Sequence, residues 1–224
     1  MLSGRPSKLQ SNFGRPSRYN LFMSQPSTTR ERVVDEALRL FATRGFAATS
    51  IADVAEASGL LKGNLAYYFK SKKALLDAVL DKRSKTLWAE LVEPARPGED
   101  ARATITRLLH HVRSTAEELA LYGCPIGGLS TELGKSEADL HTNAASLLVQ
   151  LETYLREAFA QVLSQAQAQR AAEHLLSVLQ GAAVVAQARR DPGVVHRQVD
   201  ESEAWLDTVL PAPKQQRAQR ARGK

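Results

Sequence analysis

Much of what this chain excludes comes from what it has little of. A single cysteine, Cys124, in 224 residues rules out an internal disulfide and any cysteine-based zinc cluster, and it suits a reducing compartment. No stretch approaches the ~20 consecutive apolar residues that cross a bilayer. Gly4-Arg5-Pro6 and Gly14-Arg15-Pro16 interrupt any apolar run near the start, so no signal peptide is read there. The expectation is a soluble, cytoplasmic protein with no membrane partner. Nowhere do apolar and polar residues alternate with period two beside turn signals, so no strands are expected.

Catalytic and metal signatures are also missing. His110 and His111 are adjacent and point to different sides of a helix, neither has a second ligand at i+4, and a metal needs three or four converging donors. His174 and His196 have only the acids expected on any helix surface, and there is neither Gly-x-Ser-x-Gly nor a glycine-rich phosphate loop after a strand. Cys124 with a distant histidine is too unspecific a pair to make a nucleophile and base. The sequence predicts no enzyme, no cofactor and no bound metal.

Acidic residues are absent from the first 27 and the last 14 positions. Residues 1–85 carry 15 Lys+Arg against 7 Asp+Glu, a net charge of +8, whereas residues 86–210 carry 10 against 17, a net of −7. A basic third on an acidic body is the footprint of a chain that meets phosphate at one end.

That basic third is organised as three short helices. Thr28 with Glu31 three positions on forms a capping box, and Val34, Ala37, Leu38 and Phe41 follow at the spacing of one buried helical face. Gly45 is placed to end that helix in a left-handed conformation, with Phe46 turning back into the core. Ser50 with Asp53 opens a second helix that buries Ile51, Val54 and Ala55 and closes at Gly59. The third, from about Leu61 to Phe69, can bury only Leu65 and Phe69, leaving Lys62, Asn64, Tyr67 and Tyr68 on its remaining surface. Two helices joined tightly around Ser58-Gly59-Leu60, the second short and polar on one side, form a helix-turn-helix that can lay its second helix in a major groove.

The run Phe41-Ala-Thr-Arg-Gly-Phe46, the pair Thr49-Ser50, Ile51-Ala-Asp-Val-Ala55, Gly59 and Tyr67-Tyr68-Phe69-Lys-Ser-Lys72-Lys-Ala-Leu-Leu76 together resemble the N-terminal domain of the TetR family of transcriptional regulators. The match runs from about Thr28 to Leu80 without a gap; it departs from the family at Ala66, often Tyr, and Tyr68, often His. The resemblance implies an all-α fold with an N-terminal three-helix helix-turn-helix domain and a C-terminal helical ligand-binding and dimerisation domain. It implies a homodimer closed by a four-helix bundle, a double-stranded DNA operator as partner, and a small-molecule inducer. The expected divisions are a basic arm over 1–27, the DNA-binding domain over 28–75, the ligand-binding and dimerisation domain over 76–210, and a basic tail over 211–224. Thr49, Ser50, Lys62, Asn64, Tyr67, Tyr68 and Lys72 are the expected DNA-contacting set, with Lys62 and Asn64 at base edges and Ser50, Tyr67 and Lys72 at phosphate. Tyr67 and Tyr68 have core packing as their alternative. Gly-Arg-Pro-Ser occurs at Gly4 to Ser7 and again at Gly14 to Ser17, and arginines on such an extended arm suit a narrow minor groove.

Beyond Leu80 the apolar spacing predicts helices throughout. Ser71 caps a long fourth helix stopped at Pro94-Ala-Arg-Pro97-Gly98, another runs from about Glu99 to Leu121, and a Ser136–Asp139 capping box opens one that keeps its period to Val162. From about Gln167 to Arg190 the apolar residues cover more than one face, which requires burial on two sides and fits a second subunit; Asp191-Pro192-Gly193 then breaks the chain before a last amphipathic helix. Leu109, Val112, Tyr122, Cys124, Leu147 and Tyr154 are the candidate lining of a mainly apolar inducer cavity, with plain core as the alternative for the periodic apolar members. Gly123-Cys124-Pro125-Ile126-Gly127-Gly128 resembles a segment of the TetR subgroup that includes the N-ethylmaleimide repressor, which implies electrophile sensing at Cys124; a small packing residue at a helix break is the other reading. A helical adaptor that keeps the fold and binds protein through its first domain is the alternative to an operator-binding regulator.

Overall fold

The computed structural model describes residues 28–92, 98–136 and 138–210, with the side chains of 136–141 excepted. The basic arm and tail, the Pro94–Pro97 stop and the Ser136–Asp139 capping box lie outside the described residues. Among the described residues ten helices follow one another with no strand: α1 Thr29–Arg44, α2 Ile51–Ala57, α3 Lys62–Tyr68, α4 Lys72–Val92, α5 Ala101–Ser114, α6 Ala116–Tyr122, α7 Pro125–Ser136, α8 Ala138–Phe159, α9 Gln165–Arg189 and α10 Gly193–Val209.

The N-terminal caps form where the sequence places them. The Thr28 hydroxyl accepts from the Glu31 amide at 3.2 Å while the Glu31 carboxylate accepts from the Thr28 amide at 3.0 Å. Ser50 and Asp53 make the same exchange at 3.1 and 2.6 Å, which holds the exposed Asp53 carboxyl below its usual range. Gly45 closes α1 at φ 89° and Gly59 follows α2 at φ 68°, a region that residues with a Cβ rarely enter. Val34, Ala37 and Phe41 of α1, Val54 and Ala55 of α2, Leu65 of α3 and Phe69 pack with Leu75, Leu76 and Val79 of α4. The fourth helix runs unbroken past residues 75 and 76, and it touches α1, α5 and α8.

Two helix boundaries differ from expectation. The helix predicted from Glu99 to Leu121 divides at Thr115, whose hydroxyl donates to the carbonyls of Val112 at 3.1 Å and His111 at 3.3 Å, while the Ser114 hydroxyl donates to His111 at 2.8 Å. Such back-bonding competes with the i→i−4 ladder and bends a helix. The eighth helix stops at Phe159, before Val162, and Ser164 then caps α9 through an unpredicted capping box with Gln167.

In the body α7, α8 and α9 pack in sequence, and α10 lies against α5 and α9. Two glycines around the start of α7 leave room for side chains of α9. A Cβ on Gly127 would meet the Gln180 side-chain oxygen at 2.5 Å, and one on Gly123, at φ 75°, would meet that of Gln187 at 2.7 Å.

Asp35 of α1 is 1% exposed and forms an ion pair with Lys82 of α4, whose side chain stays 24% exposed. Removing one member of a buried pair strands the other charge. Lys82→Met is expected to destabilise the fold by about 3 kcal/mol, at the low end of that range because of the residual exposure. The double variant Lys82→Met/Asp35→Leu is expected to recover most of the loss in urea unfolding.

Candidate nucleic-acid interface and body cavities

The exposed face of the helix-turn-helix is set by what α3 must bury. Leu65 and Phe69 are buried, so the helical period turns Lys62, Asn64 and Tyr67 outward. Tyr67 is 81% exposed, whereas Tyr68 is half-buried and packs against the core, the two rings meeting edge-on at 5.3 Å. Ser50 is exposed at the start of α2. Lys72 is half-buried, its ammonium 4.1 Å from the centre of the Phe46 ring and 3.4 Å from the Ala47 carbonyl oxygen.

Thr49 corrects the expected set. It is fully buried, and its hydroxyl donates to the carbonyls of Gly45 at 2.8 Å and Leu40 at 3.4 Å. A hydroxyl used inside the turn braces the backbone ahead of α2 and is not available to DNA.

Arg30 went unrecognised in the sequence. Its guanidinium lies 4.9 Å from the centre of the Phe69 ring, next to the end of α3. The available signal was a cation in the first turn of a helix, where the helix dipole disfavours it. Glu132 of α7 was also missed: its carboxylate accepts from the Phe46 amide at 2.9 Å and the Ala47 amide at 2.6 Å. A contact across 86 residues leaves no local pattern to read.

The six candidate cavity residues do not converge. Leu109 and Leu147 are core, and Val112 packs on the core. Tyr154 stacks edge-on with Trp88 at 5.5 Å and donates its hydroxyl to the Leu91 carbonyl at 3.3 Å. Leu147 also borders an open groove of about 300 Å³ between α4 and α8. Tyr122 and Cys124 share an opening, a groove of about 850 Å³ at the start of α7 whose walls include Gly127, Gln180, Val184 and Gln187. Cys124 immediately precedes α7, and its Sγ accepts from the Gly127 amide at 3.4 Å, the bond of an N-cap residue. Lys135 lines the same groove, but eleven residues along a helix separate it from Cys124 by roughly 16 Å of axial rise.

A smaller cavity of about 60 Å³ lies between α1 and α4, α5 and α6, walled by Asp35, Arg83, His111, Glu118 and Leu119 among others. His111 Nδ1 stands 3.0 Å from a Glu90 carboxylate oxygen. Burial, and then the charge of Arg83, lower the His111 pKa to about 4. Burial raises Glu90 and Glu118, opposed by Arg83. In the unfolded chain an imidazole protonates near 6.5, and in the fold His111 does so only near 4. Acidification through that window therefore favours unfolding, by roughly 3 kcal/mol from this group alone. Glu90 and Glu118 act in the opposite sense. A nitrogen-15 titration should place the His111 midpoint near 4, and His111→Gln should show a smaller loss of urea stability than the parent between neutral and acidic pH.

Among the described residues no helix is long and apolar enough to cross a membrane, and no group of three His, Cys, Asp or Glu could hold a metal. A family model described as bacterial regulatory proteins, tetR family, matches residues 33–79. A second, described as transcriptional regulator LmrA/YxaF-like, C-terminal domain, matches residues 97–201. The chain is 37% identical over 86 residues to the HTH-type transcriptional repressor KstR2 of Rhodococcus jostii, a match that covers 38% of this chain and 42% of that relative. It is 26% identical over 185 residues to an HTH-type transcriptional regulator of Lactococcus lactis, covering 81% and 94% of the two chains. A solved TetR regulator from Chloroflexus aurantiacus superposes with a TM-score of 0.71 at 25% identity, covering 81% of this chain and 96% of that one. The reduced form of NemR from E. coli superposes at 0.67 and 20% identity over 83% and 99%, a likeness of fold. With a helix-turn-helix at one end, a helical body at the other and a family model matching each, the chain belongs to the TetR family of helix-turn-helix transcriptional regulators.

Proposed function

We propose that this regulator is a ligand-responsive repressor that acts in the cytoplasm, binds a palindromic operator as a homodimer and is released by a small lipophilic or electrophilic inducer. The observation that carries the reading is the coincidence of two features at one end of the chain. The outward face of α3 presents Lys62, Asn64 and Tyr67, and the same third of the sequence holds a net +8 against −7 for residues 86–210. Phosphate attracts that end and repels the body, so the charge orients the chain on DNA before any base is read. The second subunit is inferred from Val184 and Val185 of α9, 66% and 40% exposed, with Val149 of α8 exposed nearby in the pattern of an unpaired helix face. The inducer site is inferred at the groove of Tyr122 and Cys124. There the half-buried Cys124 thiol lines the groove, where a small electrophile can reach it.

Duplexes selected from a random library by the parent protein supply the operator. On it, Asn64→Ala should cost roughly 1–3 kcal/mol of discrimination at one base position and relax preference there, while Tyr67→Phe, at the exposed hydroxyl expected on phosphate, should weaken all sequences alike. Parent-like binding by both variants would mean that α3 is not the reader.

Val184→Asp with Val185→Asp should convert a dimer to a monomer in sedimentation and abolish tight binding to the palindrome. Cys124→Ser should keep operator affinity and resist release by a quinone; release at the parent dose would leave Cys124 a packing residue.

A further inference from the structure

We infer that Glu132 is the positioning residue that fixes the DNA-reading helices on the body, so that α7 connects the Cys124 groove to the operator-binding face. The inference deepens the operator-binding reading and rests on it for its second measurement only.

The turn from Gly45 to Ser50 joins α1 to α2, and its first two amides after Gly45 point to a side chain from the other domain. Phe46 donates to one Glu132 oxygen at 2.9 Å and Ala47 to the other at 2.6 Å, a two-point grip that sets direction as well as distance. The turn is shaped to receive it. A Cβ on Gly45 would stand 3.2 Å from a Glu132 oxygen, and φ 89° is already one that glycine alone adopts readily. From the opposite wall the Lys72 ammonium covers the Phe46 ring at 4.1 Å and reaches the Ala47 carbonyl. Behind the turn Thr49 ties its hydroxyl to Gly45. The segment that leads into α2, and through α2 into α3, is thus held from three sides, and one of the three belongs to α7.

The other end of the same helix borders the groove. Gly127 rests against Gln180 of α9, and Cys124 accepts from the Gly127 amide. Eight residues separate Cys124 from Glu132, about 12 Å of helix rise, and both line one groove. A hydrogen-bonded helix is stiff over that length, so a molecule that shifts the first turn of α7 also shifts the Glu132 carboxylate. The two amide bonds do not survive a displacement of an ångström or more without realignment.

The test compares the parent with Glu132→Ala and Glu132→Gln. The glutamine keeps one acceptor oxygen and loses the second. Amide hydrogen exchange is read without DNA: Phe46 and Ala47 should exchange at least tenfold faster in Glu132→Ala and by an intermediate factor in Glu132→Gln, while Val54 and Leu65 stay protected because the three-helix core is intact. Affinity is then read on the selected operator and on a scrambled duplex. Operator binding should weaken at least tenfold in Glu132→Ala with scrambled binding changed less than twofold, since a merely destabilised domain would lose both. Unchanged exchange at Phe46 and Ala47, or equal losses on the two duplexes, overturns the positioning role. Faster exchange together with a parent that prefers no duplex leaves the grip standing and overturns the operator-binding reading.

Discussion

The two amides between α1 and α2 find their acceptor in a carboxylate that enters the sequence 86 residues after the first of them. A helix-turn-helix of two seven-residue helices has little core of its own, and its orientation must be imposed from outside. In this chain the imposition comes through α4, which shares its apolar face between α1 and the body, and through α7, which grips the turn. The glycines at 123 and 127 are part of the same constraint. Side chains there would have to displace the ends of Gln187 and Gln180, and at Gly123 would also meet a φ that glycine favours.

Between α1 and α4 the connection is electrostatic and buried. The Asp35–Lys82 pair sits beside a cavity into which Arg83, His111 and Glu118 also project, and the second Asp35 oxygen and Arg83 Nε have no partner among the described residues. Such a pair adds little net stability over an apolar replacement, because desolvation offsets the attraction. Its contribution is geometric: one register of α1 against α4 satisfies it, and a slip by a turn strands two charges. A neutral His111 beside Arg83 and Glu90 is the arrangement that burial permits there.

What could be read from the residues was local or periodic. Thr28–Glu31 and Ser50–Asp53 are three-residue patterns whose hydrogen bonds form wherever a helix starts, and Gly45 and Gly59 mark turns for a backbone reason. The buried face of α3 was readable because only Leu65 and Phe69 are apolar at the right spacing, and the rest of that helix followed by exclusion. Thr49 misled because a hydroxyl next to a cap looks available, and only the fold shows that it is used on the Gly45 carbonyl. For the cavity set the limit is of a different kind. Periodicity shows that Leu109 and Leu147 face inward but not whether another side chain fills the space in front of them. Thr115 broke a helix because its hydroxyl bonded backward, a choice that propensity scales average away. Glu132 lay beyond any local rule.

Val184 belongs to two features at once, the exposed apolar strip of α9 and the wall of the Cys124 groove. If α9 meets a second copy of the chain, the partner stands at the rim of that groove, and the volume open to an inducer is set jointly by both subunits. The opposite wall carries Glu132, whose carboxylate is bonded to the reading domain. A ligand that widens the groove then has two surfaces to move, and the cheaper movement is the one opposed by less burial. Gln180 reaches Gly127 only with the end of a flexible side chain, and the two charge-assisted hydrogen bonds at the partly exposed turn cost only a few kcal/mol to lose. Both of these contacts yield before the broad packing of α7 on α8 does, so the turn of the reading domain is tied to α7 more loosely than α7 is tied to the body.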